Sequence, residues 1–317
     1  MPVPSSLPDL RAPRTVLGTV CIPWTADHEL DVPRFRRTVA TLVERGMPDL
    51  YVFGTAGEGH AVTERQFRRV VEVFVDAMAN AGGAEPMVGL IGLSLGTILE
   101  RIRWCEAVGV RSFQFSLTPW GTADEREARA IVDAVCGGSP DSRFLHYNLP
   151  RAGRLVAPHE YGAWADAHAN LVATKYGAGD HRVVAGLLRE APQLTHYLSE
   201  QGYYLGAPLG PCAIVASAAS IHPSRALRYL EAGAGGDPAE FAALYRELVG
   251  ITRALIESVG PARIDGAYDK VLLRMHDPEF PLRLLPPWTP ATDDAYRAFR
   301  DAVARDYPDW IDQESAA

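Results

Sequence analysis

The chain has 317 residues, 47% of them hydrophobic and 22% charged, the composition of a folded globular protein with an ample core. A formal net charge of -8 and the absence of a basic run exclude nucleic acid or an anionic membrane surface as the main partner, and leave small molecules. No stretch reaches the ~18 consecutive apolar residues of a membrane span. The opening "MPVPSSLPDLRAPR" is proline-rich and lacks the apolar centre of a signal peptide, so residues 1–15 read as a loose N-terminal arm. Cys21, Cys105, Cys136 and Cys212 are far apart and form no CxxC, which predicts free thiols in a reducing cytoplasm.

From residue 16 to 235 short apolar runs alternate with longer stretches of helical period. The runs are "VLGTVCI", "LYVFG", "MVGLIG", "SFQFSL", "RFLHYN", "LVATK", "LTHYLS" and "CAIVAS". Between the second and third, Phe67, Val70, Val71, Phe74, Val75 and Met78 form one apolar stripe, and Thr63 with Gln66 has capping-box spacing. Ile98, Leu99, Ile102 and Cys105 repeat the pattern, and Gly109 supplies a C-terminal stop. Eight strand–helix units predict an α/β fold of the (β/α)8 TIM-barrel class. An open doubly wound sheet would need a Gly-rich turn after its first strand, where this chain has "CIPW". Residues 236–317 show the stripe Phe241, Leu244, Tyr245, Leu248, Ile251 and Leu255, then "TDDAYRAFRDAVA", with no strand between them: a C-terminal helical extension. The polar tail "DYPDWIDQESAA" reads as frayed, with Trp310 available to pack on the body.

In such a barrel the reacting groups stand at the C-terminal ends of the strands. Three ends carry unusual chemistry: "GTAGEGH" after the second run, "YNLP" after the fifth and "TKYGAGD" after the sixth. Lys175 and Lys270 are the only lysines in a chain that otherwise uses arginine. Alternation places Leu171, Ala173 and Lys175 on one face, directed at the barrel interior. There, burial alone could lower a lysine from ~10.4 to neutrality at pH 7, giving an amine that attacks a ketone as arginine cannot. The bland alternative is a lysine whose head snorkels to solvent.

Tyr147 at the rim is a proton carrier or a loop anchor, and Asn148 a turn residue. The glycines around Thr55 and Ala56 let backbone N–H groups form an anion nest, beside the Thr55 hydroxyl. Glu58 reads as a structural carboxylate bonded to loop amides, and Asp180 as a helix N-cap. His60, His146, His196 and His222 are dispersed and read as structural, so neither metal nor cofactor is implied.

Together and in this order, these stretches resemble the dihydrodipicolinate synthase and N-acetylneuraminate lyase family, from "LGTVCIPWTADHELD" to beyond "SEQGYYLGAPLGPCAIVASAASIHP". The resemblance implies a metal-independent aldolase or lyase that joins or splits a 2-oxo acid, usually pyruvate, and an aldehyde through a lysine Schiff base. It implies Lys175 as the Schiff-base lysine, Tyr147 as the proton-relaying tyrosine, Thr55 as a hydroxyl of that relay, and the N–H groups of Thr55 and Ala56 as the carboxylate site. The same Schiff base would serve a sugar-acid dehydratase or hydratase-aldolase, or dihydrodipicolinate synthesis itself. A non-catalytic paralogue that binds 2-oxo acids is the reading from another class. A homo-oligomer, dimer or tetramer, is also implied.

The departures concern substrate. Ala56 replaces the second hydroxyl of the family's loop, and "TPWGTAD" replaces a run whose tyrosine enters a neighbouring subunit's site, leaving Gly121 without a phenol. Ala152 stands at the position of a carboxylate-binding arginine, with Arg151 and Arg154 beside it. Trp120 either lines the pocket, favouring an apolar or aromatic aldehyde, or serves a subunit interface. Tyr176 takes the place of a glutamate common in relatives, an exchange that nothing in the sequence explains.

Overall fold

A computed structural model of the protein describes residues 10–311. Residues 1–9 of the expected arm and 312–317 of the expected tail lie outside the described residues.

Eight strands, β1 (Val16–Thr19), β2 (Leu50–Val52), β3 (Met87–Gly89), β4 (Ser112–Phe115), β5 (Arg143–Asn148), β6 (Leu171–Tyr176), β7 (Thr195–Leu198) and β8 (Ala213–Val215), pair in chain order and close into a barrel. All pairs are parallel, and β8 returns to β1 through Val16↔Ile214 and Leu17↔Val215. Each strand falls within one of the eight apolar runs, except that β6 extends one residue past its run, to Tyr176.

The strands are joined by α1 (Val32–Glu44), α2 (Glu64–Ala81), α3 (Leu95–Ala107), α4 (Glu125–Gly138), α5 (Pro158–Ala167), α6 (His181–Glu190) and α7 (Glu200–Gly206), and α8 (Pro223–Gly233) follows β8. On α2 the stripe Phe67, Val70, Val71, Phe74 and Met78 is buried against the sheet, each side chain contributing roughly 1.5–3 kcal/mol of hydrophobic free energy. The Thr63–Gln66 capping box starts that helix as expected. After α3, Gly109 takes the left-handed conformation that L side chains avoid, with φ +92°.

Three further helices, α9 (Pro238–Val259), α10 (Asp265–Leu273) and α11 (Asp293–Asp306), make the C-terminal extension. Trp310 does pack on the body: it is fully buried, and its Nε1 donates to Glu247 at 2.8 Å. The described part of the arm is not loose. The Arg11 guanidinium donates to the carbonyls of Ala165, His168 and Leu171, Arg14 donates to that of Cys212, and Thr195 donates to the carbonyl of Ala12. Carbonyls at the end of α5 and at the starts of β6 and β8 thus hold the arm by arginine side chains whose reach a composition reading ignores.

Leu17, Tyr51, Leu145, Ala173, Tyr197 and Ala213 fill the barrel interior, and the larger core lies between sheet and helices. One expectation about facing fails here. Between β5 and β6 the register passes from Phe144↔Leu171 to Leu145↔Ala173, so Val172 is an extra residue. The irregularity puts Leu171 in the outer core with Phe144, while Val172 packs against the interior group. Ala173 keeps its interior place; Leu171 does not share it.

Candidate active site

β6 runs one residue past Lys175, to Tyr176, and Lys175 is flanked in register by Tyr147 on β5 and Tyr197 on β7. Its side chain is 6% exposed, so the ammonium does not snorkel to solvent. Nζ donates to the Tyr51 hydroxyl at 2.7 Å and stands 4.0 Å from the centre of the Tyr147 ring and 4.9 Å from that of Tyr51. Two ring faces and a phenol oxygen thus replace water around the cation.

This set of neighbours overturns one expectation. Burial works against the charged form of Lys175, but Tyr147, Tyr51 and the Asp265 carboxylate outweigh it and hold the lysine above its ordinary range. Burial raises the Tyr51 hydroxyl, with Lys175 acting in the opposite sense. The amine therefore begins as an ammonium, and attack on a ketone requires a proton to leave it.

The lysine lies in a cavity of about 350 Å³, a volume that suits a small ligand. Thr55, Ala56 and Tyr147 line it with Lys175. Three of the strand-end motifs singled out in the sequence therefore converge on one space. The loop after β2 is shaped by close packing: a Cβ on Gly54 would lie 2.5 Å from the Tyr51 ring, so only glycine lets that ring reach Lys175.

α10 forms another wall. Asp265, Tyr268, Asp269 and Leu272 face the cavity. Gly266 brings this helix onto the catalytic-end loop, where an added Cβ would lie 3.1 Å from the Ala56 carbonyl oxygen. Asp265 accepts a short hydrogen bond from the Thr55 hydroxyl and another from Arg151 at 2.8 Å. Burial opposes its charge, yet these two donors hold its carboxyl below the usual range. Asp269 is 5% exposed, and burial with the nearby Asp265 charge pushes it up to about 7.

Tyr51, Asp265 and Asp269 were not singled out in the sequence. Tyr51 carried one signal, a polar tip at an interior position of a strand. Asp265 and Asp269 carried another: acids four apart on one face of a short helix whose neighbours are mostly apolar.

The remaining expected residues separate. Arg151 stands at the rim, half exposed, and lines a side recess with Tyr147, Tyr176 and Asp265. Tyr176 is buried there, its hydroxyl raised by burial and Asp180. Ala152 is buried in a neighbouring apolar recess with Thr55, His60, Pro119 and Trp288. Arg154 turns away to a two-point pair with Glu160.

Trp120 does not join the site: it is 90% exposed on the loop after β4 and lines none of these recesses. The tryptophan that lines a recess beside the cavity is Trp288, a residue from the extension.

Glu58 is structural, but not through its own loop. Its carboxylate accepts from Trp24 Nε1 at 2.9 Å, Lys270 Nζ at 2.6 Å and the Leu285 N–H at 2.6 Å. Asn148 is not in a turn: it is the last residue of β5, paired with Tyr176, and its side chain exchanges two bonds with the Val156 backbone, while Asp180 caps α6 as expected. His146 bonds to the Tyr161 hydroxyl and His196 to the Thr174 hydroxyl; burial pushes them down to about 3 and about 4. Both are neutral members of the core. A group able to hold a metal, Glu125, His159 and Glu160, lies elsewhere, and Glu160 there is engaged by Arg154 and the Ala157 N–H.

A closed parallel barrel with a cavity at the C-terminal ends of its strands is the architecture of a TIM-barrel enzyme. Residues 12–305 match the Dihydrodipicolinate synthetase family, and the chain belongs to it. Members are Schiff-base, pyruvate-dependent aldolases and lyases, and this protein is an enzyme of that kind, acting on small molecules.

Among its relatives are the 4-hydroxy-tetrahydrodipicolinate synthases of Methanopyrus kandleri, 26% identical over 274 residues, and of Moorella thermoacetica, 27% identical over 276. The matches cover 84% and 85% of this chain and 90% of each relative. In fold the chain is similar to YagE, a prophage protein from E. coli K12 crystallised with pyruvate, with a TM-score of 0.82 at 16% identity over 92% of this chain and 98% of that one. It is also similar to CdNal from Clostridium difficile in complex with mannosamine, with a TM-score of 0.80 at 13% identity and the same coverage. No helix among the described residues is long and apolar enough to cross a membrane.

Proposed function

We propose that Lys175 is the Schiff-base nucleophile and that Tyr147 and Thr55 move the protons of a carbon–carbon bond-forming or bond-cleaving reaction on pyruvate or a close 2-oxo acid. The observation that carries this reading is the Lys175 ammonium buried against Tyr51 and Tyr147 in the cavity that Thr55 and Ala56 also line. The backbone N–H groups of Thr55 and Ala56 receive the substrate carboxylate, which sets the ketone beside Nζ.

One proton leaves the ammonium and Nζ adds to the carbonyl carbon. That proton returns to the carbinolamine oxygen, which departs as water, so ammonium plus ketone becomes iminium plus water. Tyr147, with its ring 4.0 Å from Nζ, is the shuttle. The iminium then draws electrons from the adjacent carbon, giving the enamine that meets or releases the aldehyde.

Borohydride reduction in the presence of pyruvate will add the mass of reduced pyruvate at Lys175; a lysine left unmodified overturns the assignment. The four cysteines, buried and free, support a reducing cytoplasmic setting. We assign the exposed Trp120 to contact between copies in a homodimer or homotetramer. Light scattering will detect the oligomer and its weakening in Trp120→Ala.

A further inference from the structure

We propose that α10 makes this site selective for an aldehyde that carries no carboxylate of its own, a neutral or cationic partner whose hydroxyl or ammonium donors face Asp269 and Asp265. The inference rests on the 2-oxo acid reading of Lys175 and names the class of the second substrate.

Charge placement leads to it. Among the described residues Lys175 is the only basic side chain lining the cavity, and three carboxylates, Glu200, Asp265 and Asp269, line it with that lysine. Once the iminium forms, its positive charge is matched by the carboxylate of the bound 2-oxo acid. The three protein carboxylates are then left facing the second partner.

Arg151 is the guanidinium at the rim that a carboxylated aldehyde would use, and Asp265 already holds it at 2.8 Å. The same carboxylate takes the Thr55 hydroxyl. A second substrate anion would have to displace this internal one and then remain beside it, and juxtaposed like charges disfavour such a partner strongly.

Deeper in the cavity, Asp269 is buried and its Oδ1 has no hydrogen-bond partner. A buried acceptor without a donor is costly, and a hydroxyl or ammonium from a ligand relieves that cost where a carboxylate aggravates it. Glu200, whose carboxyl burial raises against the backbone bonds from Ser217 and Ala218, is a further acceptor beside this position.

The test is a set of short aldehydes of equal length ending in hydroxyl, ammonium or carboxylate, assayed with pyruvate for carbon–carbon bond formation. In the unmodified protein, kcat/KM for the carboxylated member is expected at least tenfold below that for the hydroxyl member. Asp265→Asn frees Arg151 and removes the competing charge, so the ratio should move at least tenfold toward the carboxylated aldehyde. In the double variant Asp265→Asn/Arg151→Ala that shift should vanish. Equal use of all three aldehydes by the unmodified protein overturns the proposal even if the variants fail to fold. An unchanged ratio in a folded Asp265→Asn protein overturns it as well. Failure of pyruvate trapping at Lys175 is a separate result that overturns the underlying reading.

Discussion

The chain's two lysines are both buried, and they have been put to opposite uses. Lys270 on α10 is fully buried against an equally buried Glu58 at 2.6 Å, with the Arg283 carbonyl as a further acceptor. Lys175 on β6 meets a phenol and two ring faces. Burial lowers Lys270, and Glu58 only partly restores it, while the neighbours of Lys175 more than cancel burial. The comparison shows why burial alone is a poor guide to a reactive amine. What separates the two is access and not proton affinity: Lys270 is sealed against Glu58, whereas Lys175 faces a cavity in which a ligand and a phenol can meet its amine.

Substitutions separate the two roles, and the largest effect belongs to Lys175. Lys175→Met should abolish imine trapping and lower turnover by ~10⁴-fold or more, while thermal unfolding stays level or rises, because an apolar side chain replaces a buried charge. Lys270→Met should do the reverse, costing about 3–5 kcal/mol of stability by leaving Glu58 buried and unpaired. The double variant Glu58→Gln/Lys270→Met should recover part of that loss in a denaturant titration.

Tyr147→Phe keeps the ring over Nζ and removes the hydroxyl. It should slow trapping without abolishing it and lose roughly 10²–10³-fold in kcat, measured in single turnovers.

The smallest effect is a pH dependence of stability. Asp269 is raised to about 7, so between its unfolded value of ~3.9 and 7 the folded state binds the extra proton. Stability from this group is therefore present at low pH and lost as pH rises toward 7, by at most roughly 4 kcal/mol. Asp269→Asn should flatten that part of the profile, seen as a Tm gain of a few degrees at pH 8 and none at pH 4. The raised Lys175 adds no slope in this window, since its stabilising contribution persists up to alkaline pH.

The strands, the α2 cap and the three motif-bearing strand ends were legible because their signals are local: periodicity, capping spacing, and unusual residues at strand ends. Lys175, Tyr147 and Thr55 could be named for that reason. Tyr51 and Asp265 could not, since each gains its meaning from a partner more than 100 residues away, as in Lys175 with Tyr51 and Thr55 with Asp265. The same distance hid two of the Glu58 partners, at positions 270 and 285, while the third, Trp24, lies 34 residues away. Leu171 was misplaced because strict alternation has no room for an extra residue in β6. The sequence around Trp120 leaves pocket and subunit interface equally open, and the aromatic that does line a recess beside the cavity, Trp288, arrives from the far end of the chain.

The Glu58 junction also sets an order of assembly during synthesis. All eight strands have been made once residue 215 is added, yet the carboxylate that fixes the loop carrying Thr55 still lacks Lys270 and the Leu285 N–H. The last strand is thus complete some 70 residues before the final partner of Glu58 has been added. The parts that fix the reactive end are the last of it to be synthesised, carried by the segment that the chain lays over the mouth of its barrel.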